Sequence, residues 1–150
     1  MLHSALVTTE KGVVLMSRYM RPSLSEEKRI YEETLFSLLN WNRLQLANDG
    51  EENLVVCLKQ YVVYRKHGDM IWFLSGNGED DELVLHDVLE TIVAVAGAHM
   101  EKRCTESLFL SNHAKILVAL DELVFQGHVD NTEVASILQM TKLKPYPTKV

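Results

Sequence analysis

Six histidines and two cysteines are the side chains of this sequence best suited to binding a metal or transferring a proton. No histidine lies at metal-ligand spacing from another histidine or from a cysteine. His86 and Glu90 lie one helical turn apart and could form one edge of a metal site, although a solvated pair or a partner contact is more usual. Cys57 and Cys104 have apolar neighbours and no adjacent base, which favours buried structural thiols. We therefore expect no metal site and no cofactor.

Two further segments hold residue types that are found in enzyme sites. Residues 76–78 (GNG) resemble a dinucleotide-binding loop, but a third glycine is missing. The acidic residues 79–82 would also repel a phosphate group from the start of the following helix. Asp121 and Glu122 are adjacent carboxylates, yet neighbouring residues of a helix point in different directions. We expect a helix edge that contacts a partner or solvent, and we expect no catalytic residues.

The composition excludes several classes of function. With 47% hydrophobic and 24% charged residues, the chain is an ordinary globular protein, and its 150 residues suit one domain. A net charge of −6 argues against binding nucleic acid or an anionic membrane unaided. We expect no signal peptide, lipidation anchor or membrane-spanning segment, and two cysteines are too few for a disulfide framework. We expect a cytoplasmic protein that meets membranes only through partners.

Residues 54–100 form the stretch around which the chain is organised. In the predicted strand 70–75, Met70, Trp72 and Leu74 point to one side, whereas Ile71 and Phe73 point to the other. A sheet that is apolar on both faces must be covered on both faces. The sequence therefore predicts a central strand between two layers of helices.

The sequence predicts an antiparallel sheet whose strands are joined by hairpins. Apolar runs separated by turn residues define the strands, and residues 67–69 (HGD) supply the turn before the central strand. The run 54–66 is interrupted at Lys59-Gln60, so it forms either two strands or one bent strand. The predicted strands are 3–8, 13–20, 54–58, 61–66 and 70–75.

Helical periodicity accounts for the rest of the chain, and the predicted fold class is α+β. We expect the first helix on one face of the sheet, with Ile30, Leu35, Leu38 and Leu39 turned inward, and the later helices on the other face. Residues 40–53 are expected to be irregular, and residues 104–110 to form an extended link. The predicted helices are 24–39, 82–100, 112–126 and a short one from about 130 to 140.

Several short motifs resemble those of clathrin-adaptor small (sigma) subunits. Arg18-Tyr19-Met20 is similar to the W-Y-[LM] that ends their second strand, and residues 61–66 (YVVYRK) are similar to their K-[IV]-[IV]-Y-[RK]-R. Residues 120–129 (LDELVFQGHV) resemble their [VL]-D-E-x-[FL]-x-x-G-[ED]-[IV]. The resemblance implies a longin-like fold, with a five-stranded antiparallel sheet flanked by helices, over residues 1–141. Residues 142–150 are then a flexible tail.

The resemblance also implies a function. Such small subunits have no catalytic activity and are held by a large α-solenoid subunit in heterotetrameric or larger vesicle-coat adaptors. Within the family, the sequence resembles the sigma-like small subunits of the TPLATE (TSET) endocytic complex. We therefore expect a role in endocytosis at coated pits. The candidate partner-binding residues are Arg18, Tyr19, His86, Glu90, Val93, Asp121 and Glu122.

Small subunits that recognise acidic dileucine sorting signals carry an arginine in the second strand. The matching place here holds Val14 or Leu15, so the acidic residue of such a signal has no cationic partner. We therefore expect a degenerate pocket. Its lining would be Gly68, Met70, Val93 and Leu108, with Arg103 intruding.

A second function remains open on the sequence alone. A longin or roadblock-type platform that regulates a small GTPase, either alone or as a homodimer, would have the same fold class and the same lack of catalytic motifs. Nucleotide-exchange assays and the mass of the isolated chain separate the two hypotheses.

Overall fold

A five-stranded antiparallel sheet forms the centre of the protein. The computed structural model describes residues 2–20, 24–46, 51–77, 82–100, 105–125 and 128–129. The strand order is β2-β1-β5-β4-β3, which contains the predicted hairpins and adds the pairing of β1 with β5. The strands are β1 (Leu2–Thr9), β2 (Val14–Tyr19), β3 (Glu52–Cys57), β4 (Gln60–His67) and β5 (Met70–Gly76). A separate two-stranded sheet pairs β6 (Val124–Phe125) with β7 (His128–Val129).

Among the described residues, five helices cover the two faces of the sheet. Those on one face are α1 (Ser25–Ser37) and α2 (Trp41–Leu46). Those on the other are α3 (Glu82–His99), α4 (Glu106–Ser111) and α5 (His113–Leu123). The predicted α+β fold class, with helices on both faces, is confirmed. The predicted helix 130–140 and the predicted tail 142–150 lie outside the described residues.

The central strand β5 is buried along its whole length, as its sequence predicts. Met70, Trp72 and Leu74 pack in the core beneath α3, α4 and α5. Ile71 and Phe73 pack in a second core beneath α1 and α2. The alternation of side chains along one strand thus joins two hydrophobic cores through the sheet.

The run 54–66 forms two strands rather than one bent strand. A two-residue turn at Leu58-Lys59 joins β3 to β4, and both residues have positive φ, 47° and 70°. This is the backbone of a type I′ turn, which asparagine and glycine adopt at lower cost. Gly68, with φ at 67°, sits in the predicted turn before β5.

The buried face of α1 differs from the prediction. Tyr31 and Leu35 are buried, and Leu39 follows them at the same spacing. Ile30 and Leu38 are instead 44% and 51% exposed, so placing them inward was wrong. The helix turns its tyrosine toward the sheet, where the Cys57 Sγ lies 3.9 Å from the Tyr31 carbonyl oxygen. Cys57 is buried, as predicted.

Two short helices occupy segments that were predicted to be irregular or extended, and both predictions were wrong. The Asn40 side chain accepts a hydrogen bond from the Arg43 amide at the start of α2, and Leu44 fixes α2 to the core. The Thr105 hydroxyl caps α4 by accepting from the Leu108 amide. A helical turn forms in each place because a polar cap precedes an apolar anchor.

The longest helix, α3, packs over β4 and β5 and against α5. Its buried residues repeat at helical spacing, and α5 ends at Leu123, earlier than predicted, where β6 begins. Phe109 of α4 is fully buried, with its ring edge-on to Trp72 at 5.7 Å between centroids. The buried residues of α3 are Leu85, Val88, Leu89, Ile92, Val93, Val95 and Ala96.

Candidate partner-binding surfaces

Arg18 lies on β2, an edge strand of the sheet, and forms an ion pair with Asp121 of α5. The Arg18 Nη2 and Asp121 Oδ1 atoms are 3.0 Å apart, and each side chain remains about half exposed, at 50% and 49%. An ion pair this exposed contributes only about 0–1 kcal/mol to folding. The structure thus brings two predicted partner-binding residues together and leaves both accessible. The side chain of Glu122 lies outside the described part of the chain.

Tyr19, the next residue along β2, points to the opposite face and contacts α1. Its hydroxyl donates to Glu32 Oε2 at 2.6 Å, and the Lys28 ammonium lies 5.2 Å from the centre of its ring. Burial, followed by the hydrogen bond to Glu32, raises the pKa of the Tyr19 phenol. Tyr19 therefore acts as a neutral hydrogen-bond donor that fixes the sheet edge to α1.

His86 connects helix α3 to the other edge strand of the sheet. Its Nδ1 donates to Glu52 Oε2 at 2.6 Å, and its Nε2 lies 3.5 Å from Glu90 Oε2. The hydrogen bond to Glu52 raises the pKa of His86. The sequence indicated Glu90, but not Glu52, because a contact across 34 residues leaves no mark in local spacing.

One group of three side chains in the described residues could also hold a metal ion. His86, Asp87 and Glu90 place one ligand atom each within 4.8 Å of one another. Exposed carboxylates often lie this close without an ion, and Glu52 already holds one imidazole nitrogen. The geometry therefore fits an ion-paired anchor between α3 and β3 at least as well as it fits a metal site.

Two of the positions matched to a sorting-signal pocket, Met70 and Val93, belong to the core. Met70 and Val93 are only 0% and 3% exposed, and Leu108 packs against the same core. Gly68 lies at the β4–β5 turn. Arg103 lies outside the described residues. Val93 consequently offers little surface to a partner.

An open groove runs beside Val93, between β4 and α3. One wall is made of small residues of α3, and the other carries Arg65 and His67. The Arg65 Nε is buried and has no hydrogen-bond partner among the described residues. The lining residues are Arg65, His67, Glu90, Val93, Ala94, Gly97 and Ala98.

The sequence prediction missed an apolar patch on β3 and β4, which we call the β3 patch and define as Leu54, Val56 and Tyr61. These side chains are 43%, 56% and 38% exposed. Leu54 pairs with Val63, and Val56 pairs with Tyr61, so all of them share the sheet face of Val63. Val63 is buried beneath α3, whereas the patch is not. Apolar residues at alternate positions of β3 were the available signal.

Comparisons with known proteins agree with this architecture. In the described residues, no helix is long and apolar enough to cross a membrane. One chain of a structure titled "Homology model of the full-length AP-3 complex in a stretched open conformation" superposes with a TM-score of 0.62 at 18% identity. The match covers 95% of this chain and 92% of that one. The two chains share a fold, which supports the longin-like α+β class.

Sequence relatives cover nearly the whole chain. TSET complex member tstD of Dictyostelium discoideum is 31% identical over 146 residues, covering 96% of this chain and 94% of tstD. AP-3 complex subunit sigma of Arabidopsis thaliana is 23% identical, covering 86% and 82%. Coatomer subunit zeta-3 of Oryza sativa subsp. japonica is 29% identical, covering 79% and 64%. The family model "Clathrin adaptor complex small chain" matches residues 1–145. The chain therefore belongs to the clathrin adaptor complex small chain family.

Proposed function

We propose that this chain is a non-enzymatic core subunit of a TSET-type vesicle-coat adaptor and binds a large α-solenoid subunit of that complex. The observation that carries the proposal is the likeness to TSET complex member tstD along almost the full length of both chains. Assembly with the other subunits of a heterotetrameric or larger adaptor then places the chain at coated pits during clathrin-mediated endocytosis. Its contact with the membrane is indirect, through the complex.

The surface chemistry supports a binding role over a catalytic one. Arg18 pairs with Asp121, Tyr19 with Glu32, and His86 with Glu52, so the conspicuous polar side chains join elements of the fold. Apolar side chains are instead exposed together in the β3 patch. A partner that covers such a surface gains roughly 1.5–3 kcal/mol for each large apolar side chain removed from water.

We also propose that the chain does not read acidic dileucine signals. Val14 or Leu15 stands where signal-binding subunits have arginine, and neither side chain supplies a cation for the acidic residue of the signal. Met70 and Val93 are buried within the core, which leaves little of either side chain accessible to such a signal. A fluorescent acidic dileucine peptide is expected to show no saturable binding to the assembled complex, and saturable binding that depends on Val93 would refute this part of the proposal.

The test of the main proposal is purification of the tagged full-length chain from its native cells, followed by quantitative mass spectrometry. One large subunit is expected in equimolar amount, together with further coat subunits. Recovery of the chain alone, or only as a homodimer, would refute the proposal. A chain that accelerates nucleotide exchange on a small GTPase without a large subunit would favour the regulatory platform instead.

A further inference from the structure

Within the described residues, the layer of helices on the α3 face of the sheet leaves β3 uncovered. Helix α3 packs on β4 and β5, while the ion pair between Arg18 and Asp121 joins α5 to β2. Helices pack about 8–10 Å apart and strands about 4.8 Å apart, so one helix covers about two strands. The fifth strand therefore has room beside α3 for one more helix.

Within β3, the exposed apolar side chains Leu54 and Val56 lie on one face only. On the opposite face, Cys57 is only 1% exposed, and Val55 packs against the core beneath α1. The other edge strand, β2, is interrupted by a register shift at Val7/Thr8 and carries the charged Arg18. By contrast, β3 pairs with β4 in an unbroken register. An apolar strand face of this kind needs a partner to cover it.

Acidic groups border the β3 patch on the side of α3. The contact between His86 and Glu52 brings α3 against the start of β3, and Asp87 and Glu90 cluster around the same histidine. Asp87 and Glu90 are both exposed. A partner that covers the apolar floor therefore gains from basic residues next to this acidic border.

We infer that the large subunit supplies one amphipathic helix, which packs beside α3 with its apolar side on the β3 patch and its Lys or Arg residues along Asp87 and Glu90. The inference rests on the proposed function, and a helical solenoid is a partner of suitable structure. An added β-strand would pair with the backbone of β3 and leave the side chains of Leu54 and Val56 exposed. A second copy of this chain would bring two acidic borders together.

Matched substitutions test this docking surface. Leu54→Lys and Val56→Lys are each expected to weaken the affinity for the purified large subunit about 10- to 100-fold. Ile30→Lys is the control, because Ile30 on α1 is 44% exposed and Leu54 is 43% exposed. The control is expected to bind within about twofold of the wild-type chain. Melting temperatures of the isolated variants verify that each is folded, and Val56→Thr, which keeps the branched shape, is expected to weaken binding in the same direction.

Kinetics and cross-linking identify the occupant. Replacing both Asp87 and Glu90 with lysine is expected to lower the rate constant of association with the large subunit about tenfold. The dependence of that rate constant on ionic strength should change as well. A photo-cross-linker at position 56 is expected to react with one helix of the large subunit. Cross-links to a second copy of the chain, or to an extended segment, would overturn the inference.

The two proposals fail in different ways. If the wild-type chain binds the large subunit and the Leu54 and Val56 variants bind equally well, the docking surface is wrong and the proposed function stands. If the wild-type chain binds no large subunit, the proposed function itself fails.

Discussion

Removal of the Phe109 ring should be among the most destabilising single changes in this protein. Phe109 belongs to α4, a helix of six residues that is too short to be stable alone. Its ring is fully buried, lies 5.7 Å from the ring of Trp72 at an interplanar angle of 89°, and lies 5.9 Å from His113. One side chain thus holds α4 to β5 and to α5.

Phe109→Ala is expected to lower the free energy of unfolding by about 3–5 kcal/mol, because it removes a buried ring and leaves a cavity. Against a typical total of about 5–15 kcal/mol, this is a large share. For a domain of this size the melting temperature should fall by about 6–20 °C. Phe109→Leu fills most of the space and loses the edge-to-face contact, so we expect a smaller loss of about 1–2 kcal/mol.

The assay is urea unfolding followed by tryptophan fluorescence, since Trp72 reports directly on this contact. Leu110→Ala is the matched control, because the neighbouring side chain is 52% exposed and should change stability by less than about 0.5 kcal/mol. Equal losses for Phe109→Ala and Leu110→Ala would refute the placement of α4. So would a loss below about 1 kcal/mol for Phe109→Ala.

Three smaller effects follow from the surface contacts. The pKa of His86 is raised in the folded protein, so protonated His86 stabilises the fold. This stabilisation is fully present below pH 6.5 and is lost as the pH rises through the folded pKa. Between about pH 5 and 9, the free energy of unfolding of the wild type, measured with urea, should fall by about 0.2–0.5 kcal/mol relative to that of His86→Asn. Identical pH dependence in the two proteins would contradict the contact with Glu52. A double-mutant cycle on Arg18 and Asp121 should give a coupling of about 0.2–1 kcal/mol in the isolated chain, and a coupling above about 2 kcal/mol would show that the pair is more buried than it is here. Replacing Leu58-Lys59 with Asn-Gly should raise stability by about 1–2 kcal/mol, and a loss of stability would contradict the left-handed turn.

The sheet could be predicted from the sequence because its signals are local. Alternation of apolar residues around Trp72 and Phe73 indicated a strand buried on both faces, and Gly68 marked the turn before it. Burial of Tyr31 was missed, because the inward face of α1 was predicted from its aliphatic residues, Ile30 among them. A ring with one hydroxyl is mostly apolar surface, so packing placed it inward.

The short helices and the surfaces depend on contacts that sequence spacing does not record. Trp41 and Leu44 anchor α2 within a polar segment, and Phe109 anchors α4 after a single cap at Thr105. These helices are fixed by the tertiary core more than by propensity. The partner of His86 on β3 likewise follows from the strand order, which the sequence alone left undetermined.

We propose above all that this chain functions by binding a larger subunit. Co-expression of the full-length chain with the large subunit of a TSET-type complex, followed by native mass spectrometry, tests it most directly. We predict a stable one-to-one complex that persists through gel filtration and protects β3 and α3 from amide hydrogen exchange. A chain that elutes alone, with unchanged exchange in both elements, would contradict the claim.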